Sequence, residues 1–197
     1  MSLDDNAVLL PGTGFVFWND TVGAAAPAVT PAAIAALDLF APTIGTGGAW
    51  KNLGHTSLES NIAIGKDGSE GDVKGTYQRP NLRKMPDKNI WSVIVPALQF
   101  TNLTLDLYFG EGDQSDPDVY WVVPDAPVAE GALWVCLVDG PTRLPFVVPK
   151  VAASADDAPE FDPENFTELP VKFTALDYAS AKGLMGWYKS GLGTPAP

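Results

Sequence analysis

Hydrophobic and polar residues alternate most clearly in the second half of the chain. Trp91, Val93 and Val95 alternate with Ser92 and Ile94, and Val171, Phe173 and Ala175 alternate with Lys172 and Thr174. A period of two places one face of a strand inward and the other outward. Leu103, Leu105, Leu107 and Phe109 alternate in the same way with Thr104, Asp106 and Tyr108, which predicts a further strand. Ala132 to Val138 is apolar without interruption, the pattern of a strand covered on both faces. Asp139-Gly140-Pro141-Thr142 turns it back into Arg143 to Val151 as a hairpin.

The first half is less regular. Val8 to Trp18 predicts a bent strand or strand pair broken by Pro11-Gly12-Thr13-Gly14. Thr30 offers an N-cap before Pro31, and Ala32 to Leu37 are good helix formers, so a helix is predicted over 31–39. Between Trp50 and Lys88 runs a long polar, Gly-rich arm with weak strand signals at Asn61–Gly65 and Val73–Gln78. Its middle, Lys66 to Asp72, is turn chemistry, which predicts a projecting hairpin that stays mobile until docked. Glu111 to Asp118 reads as an acidic turn, Val119 to Val123 as a short strand and Phe161 to Leu169 as an acidic connection. Gly183 to Lys189 adds an edge strand.

The sum is a mainly β protein: an antiparallel β-sandwich or half-barrel with one flanking helix and a long inter-strand arm. One domain over 1–190, with the arm at about 50–88 and a tail at 191–197, fits the length of 197 residues. Hydrophobic residues at 46% and charged residues at 18% mark a globular chain, and 18 prolines with 19 glycines suit many turns.

Charge sharpens this picture. The net charge is −12, yet the arm holds seven of the twelve Lys and Arg residues. Between Thr104 and Glu168 lie fourteen carboxylates against only Arg143 and Lys150. A basic arm on an acidic body suits docking onto another copy. The candidate contact residues are Lys66, Lys74, Arg79, Arg83 and Lys84 on the arm. Asp106, Glu111, Asp113, Asp156 and Asp157 are candidates for an acidic wall or interface. So acidic a chain is a poor binder of nucleic acid, whose affinity comes from cations on phosphates.

Candidate chemistry is thin. His55 is the one histidine and therefore the one candidate base for a catalytic triad, and it sits in the polar arm. Cys136 lies inside the most apolar strand and reads as inert packing; alone, it excludes an intramolecular disulfide framework. Asp113, Asp116 and Asp118, or Asp156, Asp157, Glu160, Asp162 and Glu164, could hold Ca²⁺, but neither run has EF-hand spacing. Gly45-Thr46-Gly47-Gly48 misses both phosphate-loop patterns. The six Trp residues suit core or interface more than a sugar platform. No catalytic residue, metal or cofactor is predicted. No membrane span and no signal peptide is evident, which points to a cytoplasm and against the competing reading, a secreted carbohydrate-binding β-sandwich with Ca²⁺-binding turns.

Several segments, in order, carry a resemblance. They are Asn6 to Pro27, Trp50-Lys51-Asn52-Leu53-Gly54-His55-Thr56-Ser57, Gly75 to Arg83, Leu103 to Gly110, and Leu137 to Leu176 with its Asp-Gly-Pro-Thr-Arg turn. Over most of its length the chain resembles the major tail tube proteins of long-tailed phages that infect actinobacteria. The resemblance implies a structural virion protein, assembled in the host cytoplasm into hexameric rings that stack into a hollow tube. It implies that the arm reaches the next ring and that double-stranded DNA passes without specific binding. It implies tape measure, tail terminator and distal tail proteins as partners.

Overall fold

The computed structural model describes residues 8, 10–68, 72–85, 89–113 and 115–188. Eleven strands and two α-helices are present among them. In chain order these are β1 Thr13–Asn19, α1 Pro31–Ala35, β2 Thr43–Ile44, β3 Trp50–Asn52, β4 Ala63–Asp67, β5 Asp72–Thr76 and β6 Arg79–Met85. Then come β7 Ile90–Ala97, α2 Asn102–Phe109, β8 Glu130–Asp139, β9 Thr142–Ala155, β10 Leu169–Ala175 and β11 Gly186–Trp187.

Nine strands form one antiparallel sheet in the order β2-β3-β1-β8-β9-β10-β7-β4, with β11 also on β9. The sheet curls back on itself. Thr56, just past β3, bridges Ala97 at the end of β7. Ser57 N donates to Pro96 O at 2.9 Å, and Leu98 N donates to His55 O at 2.9 Å. Trp18 of β1 and Phe173 of β10, three strands apart in the sheet, have ring centroids 5.8 Å apart across the interior. This is the mainly β half-barrel expected.

Two apolar clusters occupy the two faces. Inside the curl, Val16, Trp18, Leu133, Val135, Phe146, Val93, Val171 and Phe173 pack together with Leu107 of α2. Outside it, Phe17, Trp134 and Cys136 lie under Leu39, Ile44 and Trp50. Because β8 has a core on each side, Gly131 to Cys136 are buried without a break. Side chains of the outer cover fasten it: Trp50 Nε1 donates to Ala25 O at 3.0 Å, and Asn52 Nδ2 donates to the Leu39 and Ala41 carbonyls at 3.1 Å. Arg143 Nη1 donates to Ile34 O at 2.7 Å and Leu37 O at 3.0 Å, neutralising carbonyls that the helix end leaves open.

Several expectations are corrected. Residues 103–109 form α2, not a strand. Thr101 accepts from Thr104 N at 3.3 Å, while Thr104 Oγ1 accepts from Thr101 N at 2.9 Å, which closes a capping box. The buried residues Thr104, Leu107 and Tyr108 then fall on one helical stripe, and Gly110, at φ 88°, ends the helix. The protein therefore has two helices rather than one. Helix α1 stops at Ala35, short of 39, as Leu39 turns into the outer core. Residues 119–123 contribute only the Asp113–Trp121 bridge, not a strand.

The arm is also narrower than 50–88. Trp50 and Leu53 are core residues, and β4 joins the main sheet beside β7, so Lys66 and Asp67 lie in a strand rather than a turn. The hairpin turn falls at Tyr77-Gln78, between β5 and β6. Gly186–Trp187 is shorter than the edge strand expected over 183–189, and the 191–197 tail lies outside the described residues.

Candidate functional site

The chemistry-bearing residues resolve into structural roles. His55 is exposed and engages the sheet only through its carbonyl. Cys136 is fully enclosed, and burial pushes its thiol up to about 11, out of the range of a useful nucleophile. Asp113, Asp116 and Asp162 accept from the backbone N–H of Ser115, Asp118 and Glu164 at 2.9, 3.0 and 2.9 Å, so each fixes its own turn. These bonds hold the Asp113 and Asp162 carboxyls below the usual carboxylate range. Among the described residues, no group of three or more His, Cys, Asp or Glu forms a metal-binding cluster. No helix among them is long and apolar enough to cross a membrane.

What stands out instead is a polarity along the β4–β7 strand pair. The β5–β6 hairpin is inserted between these neighbours, after Asp67 and before Ile90, and pairs with no strand of the main sheet. Lys74 and Arg83 are register partners in it, as are Val73 and Lys84, and Arg79 begins β6 at the turn. Lys66, the fifth residue of the predicted basic group, sits apart in β4 with its ammonium 5.6 Å from the Trp91 ring centroid. Strand β4 is the sheet's last strand and leaves one backbone edge unpaired within the subunit.

The predicted acidic residues gather elsewhere, around α2. Tyr120 O–H lies 2.7 Å from Asp106 Oδ1, which also accepts from Gly112 N at 3.3 Å; burial first, then Asp106, pushes Tyr120 up to about 12. Tyr108 O–H donates to the Asp157 carbonyl and so ties the Asp156–Asp157 segment to the helix. Asp156 lies 3.8 Å from Lys172 Nζ, which also reaches Asp67 at 3.4 Å. Glu111 and Asp113 are exposed beyond the helix end. Asp106, Glu111 and Asp113 thus lie on or just beyond α2, and Asp156 and Asp157 on the segment that Tyr108 holds. The two cations of that half are engaged elsewhere: Arg143 on α1 and Lys150 on Glu130 at 2.9 Å.

A groove of about 660 Å³ opens between the start of β1 and residues 52–62, lined in part by Phe15, Phe40, His55, Leu58, Ile62 and Gln99. Sequence reasoning did not find it, because its walls come from separate segments. The exposed Phe40 and Leu58, in otherwise polar loops, were the available signal.

The family model described as phage tail tube protein matches residues 1–197. The major tail protein Gp23 of Mycobacterium phage D29 is 35% identical over 180 residues, covering 90% of this chain and 89% of that protein. The major tail protein Gp23 of Mycobacterium phage L5 is 36% identical over the same coverage. The chain belongs to the phage tail tube protein family, structural components of the virion tail.

Proposed function

We propose that copies of this protein form six-membered rings that stack into a hollow tube, and that double-stranded DNA passes through it. The observation that carries this reading is the β5–β6 hairpin: among the described residues its strands pair only with each other, and the edge of β4 beside it is open. A lone two-stranded hairpin is marginal in water, and an unpaired edge invites another strand. Both features gain stability when a second copy supplies the missing contacts. Lys74, Arg79, Arg83 and Lys84 on the hairpin would make contacts between rings, with Lys66 at the β4 edge.

Exposed carboxylates such as Glu111 and Asp113 would give the channel a sustained negative potential. Single surface charges are weak in salt, but many copies around a narrow bore add up and repel phosphate. A tape measure protein inside the tube and terminator and distal proteins at its ends complete the proposed assembly.

Negative-stain electron microscopy and sedimentation of the purified protein across a wide concentration range test the reading. Rings or tubes are expected without added metal or nucleotide, with no retention of double-stranded DNA at physiological salt. Monomer alone at every concentration, with and without tail initiator proteins, would remove it.

A further inference from the structure

The groove and the hairpin lie at opposite ends of one strand pair. Asn61 and Ile62 line the groove and lead directly into β4; Gln99 lines it too and follows β7. The hairpin leaves from the far end of the same pair, between Asp67 and Ile90. Five residues of β4 put about 13 Å of strand between the two ends. Tyr77 at the hairpin tip is fully exposed, so the tip does not occupy its own subunit's groove.

Tyr77, at the hairpin tip, is fully exposed. It is an aromatic knob on a basic element, since residues 72–85 carry Lys74, Arg79, Arg83 and Lys84 against Asp72 alone. The groove has the complementary character. Phe40, 82% exposed and set edge-on to Phe15 at 5.0 Å, and Leu58, 81% exposed, offer apolar surface; Asn61 and Gln99 offer polar groups suited to a phenol. Among the described residues, no Lys or Arg lines the groove.

Two carboxylates lie near that end. Glu59 lies in the groove loop, and Asp139 accepts from Leu10 N at 2.9 Å beside the groove residue Pro11.

We infer that the groove between β1 and residues 52–62 receives the Tyr77 tip of the hairpin from a second copy of this chain. Aromatic burial would anchor the contact, and basic flanks meeting these two carboxylates would orient it. Knob and hole are different surfaces, so the contact is head-to-tail and can repeat from copy to copy along a stack instead of ending at a dimer. This rests on the tube reading and adds to it the surface that accepts the arm.

Tyr77 and Leu58 are exposed, so changing them should leave the monomer's thermal melt unchanged. Tyr77→Ala is expected to raise the protein concentration needed for tube formation at least tenfold, with Tyr77→Phe close to wild type. The double variant Tyr77→Cys/Leu58→Cys, oxidised after assembly, should give a covalent ladder on non-reducing gels, whereas each single variant should stop at dimer or below. The buried Cys136 does not compete. Tubes that form equally well with Tyr77→Ala, and no ladder from the double variant, would overturn this contact while leaving the tube standing. A wild-type protein that never assembles would remove both.

Discussion

Strands β8 and β4 belong to the same sheet and live in opposite environments. Residues 131–136 of β8 are buried in succession, with one core on each face. In β4, only Gly65 is even partly shielded, and the outer edge is unpaired. The difference separates two jobs. The β1, β8, β9 and β10 strands hold the fold, because hydrophobic burial there is nearly complete. The β4 strand contributes little to that core, so its sequence is available for contacts with other copies.

The largest expected effect tests this division. Phe173→Ala or Trp134→Ala removes a fully buried aromatic and should cost about 3–5 kcal/mol, read as a fall in the urea midpoint. Ile64→Ala, on β4, should change monomer stability by less than about 1 kcal/mol, yet weaken assembly measurably by sedimentation. Equal loss of monomer stability at both sites would erase the contrast between the strands.

A middle-sized effect concerns the acidic region. Tyr120→Phe removes the hydroxyl that bonds Asp106, at a cost of about 1 kcal/mol in chemical unfolding. The Tyr120 hydroxyl titrates higher in the folded state, near 12, than in the unfolded chain, near 10. Its contribution is therefore complete below about pH 10 and is lost as pH rises toward 12. The variant should show a shallower alkaline decline than wild type; identical slopes would remove the Tyr120–Asp106 bond as a source of stability.

The smallest effect is at acid pH. Asp113 and Asp162 titrate lower in the folded protein than their ordinary 3.8. Their stabilisation is present above that value and lost as pH falls through the folded values. Asp113→Asn or Asp162→Asn should lower the neutral plateau of the stability curve slightly and so flatten its acid limb, with no difference from wild type below the folded values.

Much of this division was legible in the residues themselves. The β8 strand announced itself as an unbroken apolar run, and Gly140, at φ 53°, supplies the backbone that the Gly140-Pro141 turn into β9 requires. The alternation in β10 survives residue by residue in its burial. Helix α2 is hidden in the sequence because Leu103, Leu105 and Leu107 satisfy a period of two, whereas the buried stripe runs through Thr104, Leu107 and Tyr108, and the Thr101–Thr104 capping box decides for the helix. The arm's true extent was hidden because β4 pairs with β7 across a long insertion, which no local pattern records. The tie between α2 and Asp157 depends on the Tyr108 hydroxyl, and the groove on the bridge between Thr56 and Ala97; both are products of tertiary closure.

In the proposed assembly, one end of the subunit fits the other end of a second copy. A cryo-electron microscopy reconstruction of the assembled tube at side-chain resolution tests it most directly. The expected map has six subunits per ring, with the β5–β6 hairpin of each lying on a subunit of the adjacent ring and Tyr77 in the groove beside Phe40 and Leu58. A map in which the hairpins touch only their own ring, with the groove open to solvent, would contradict it.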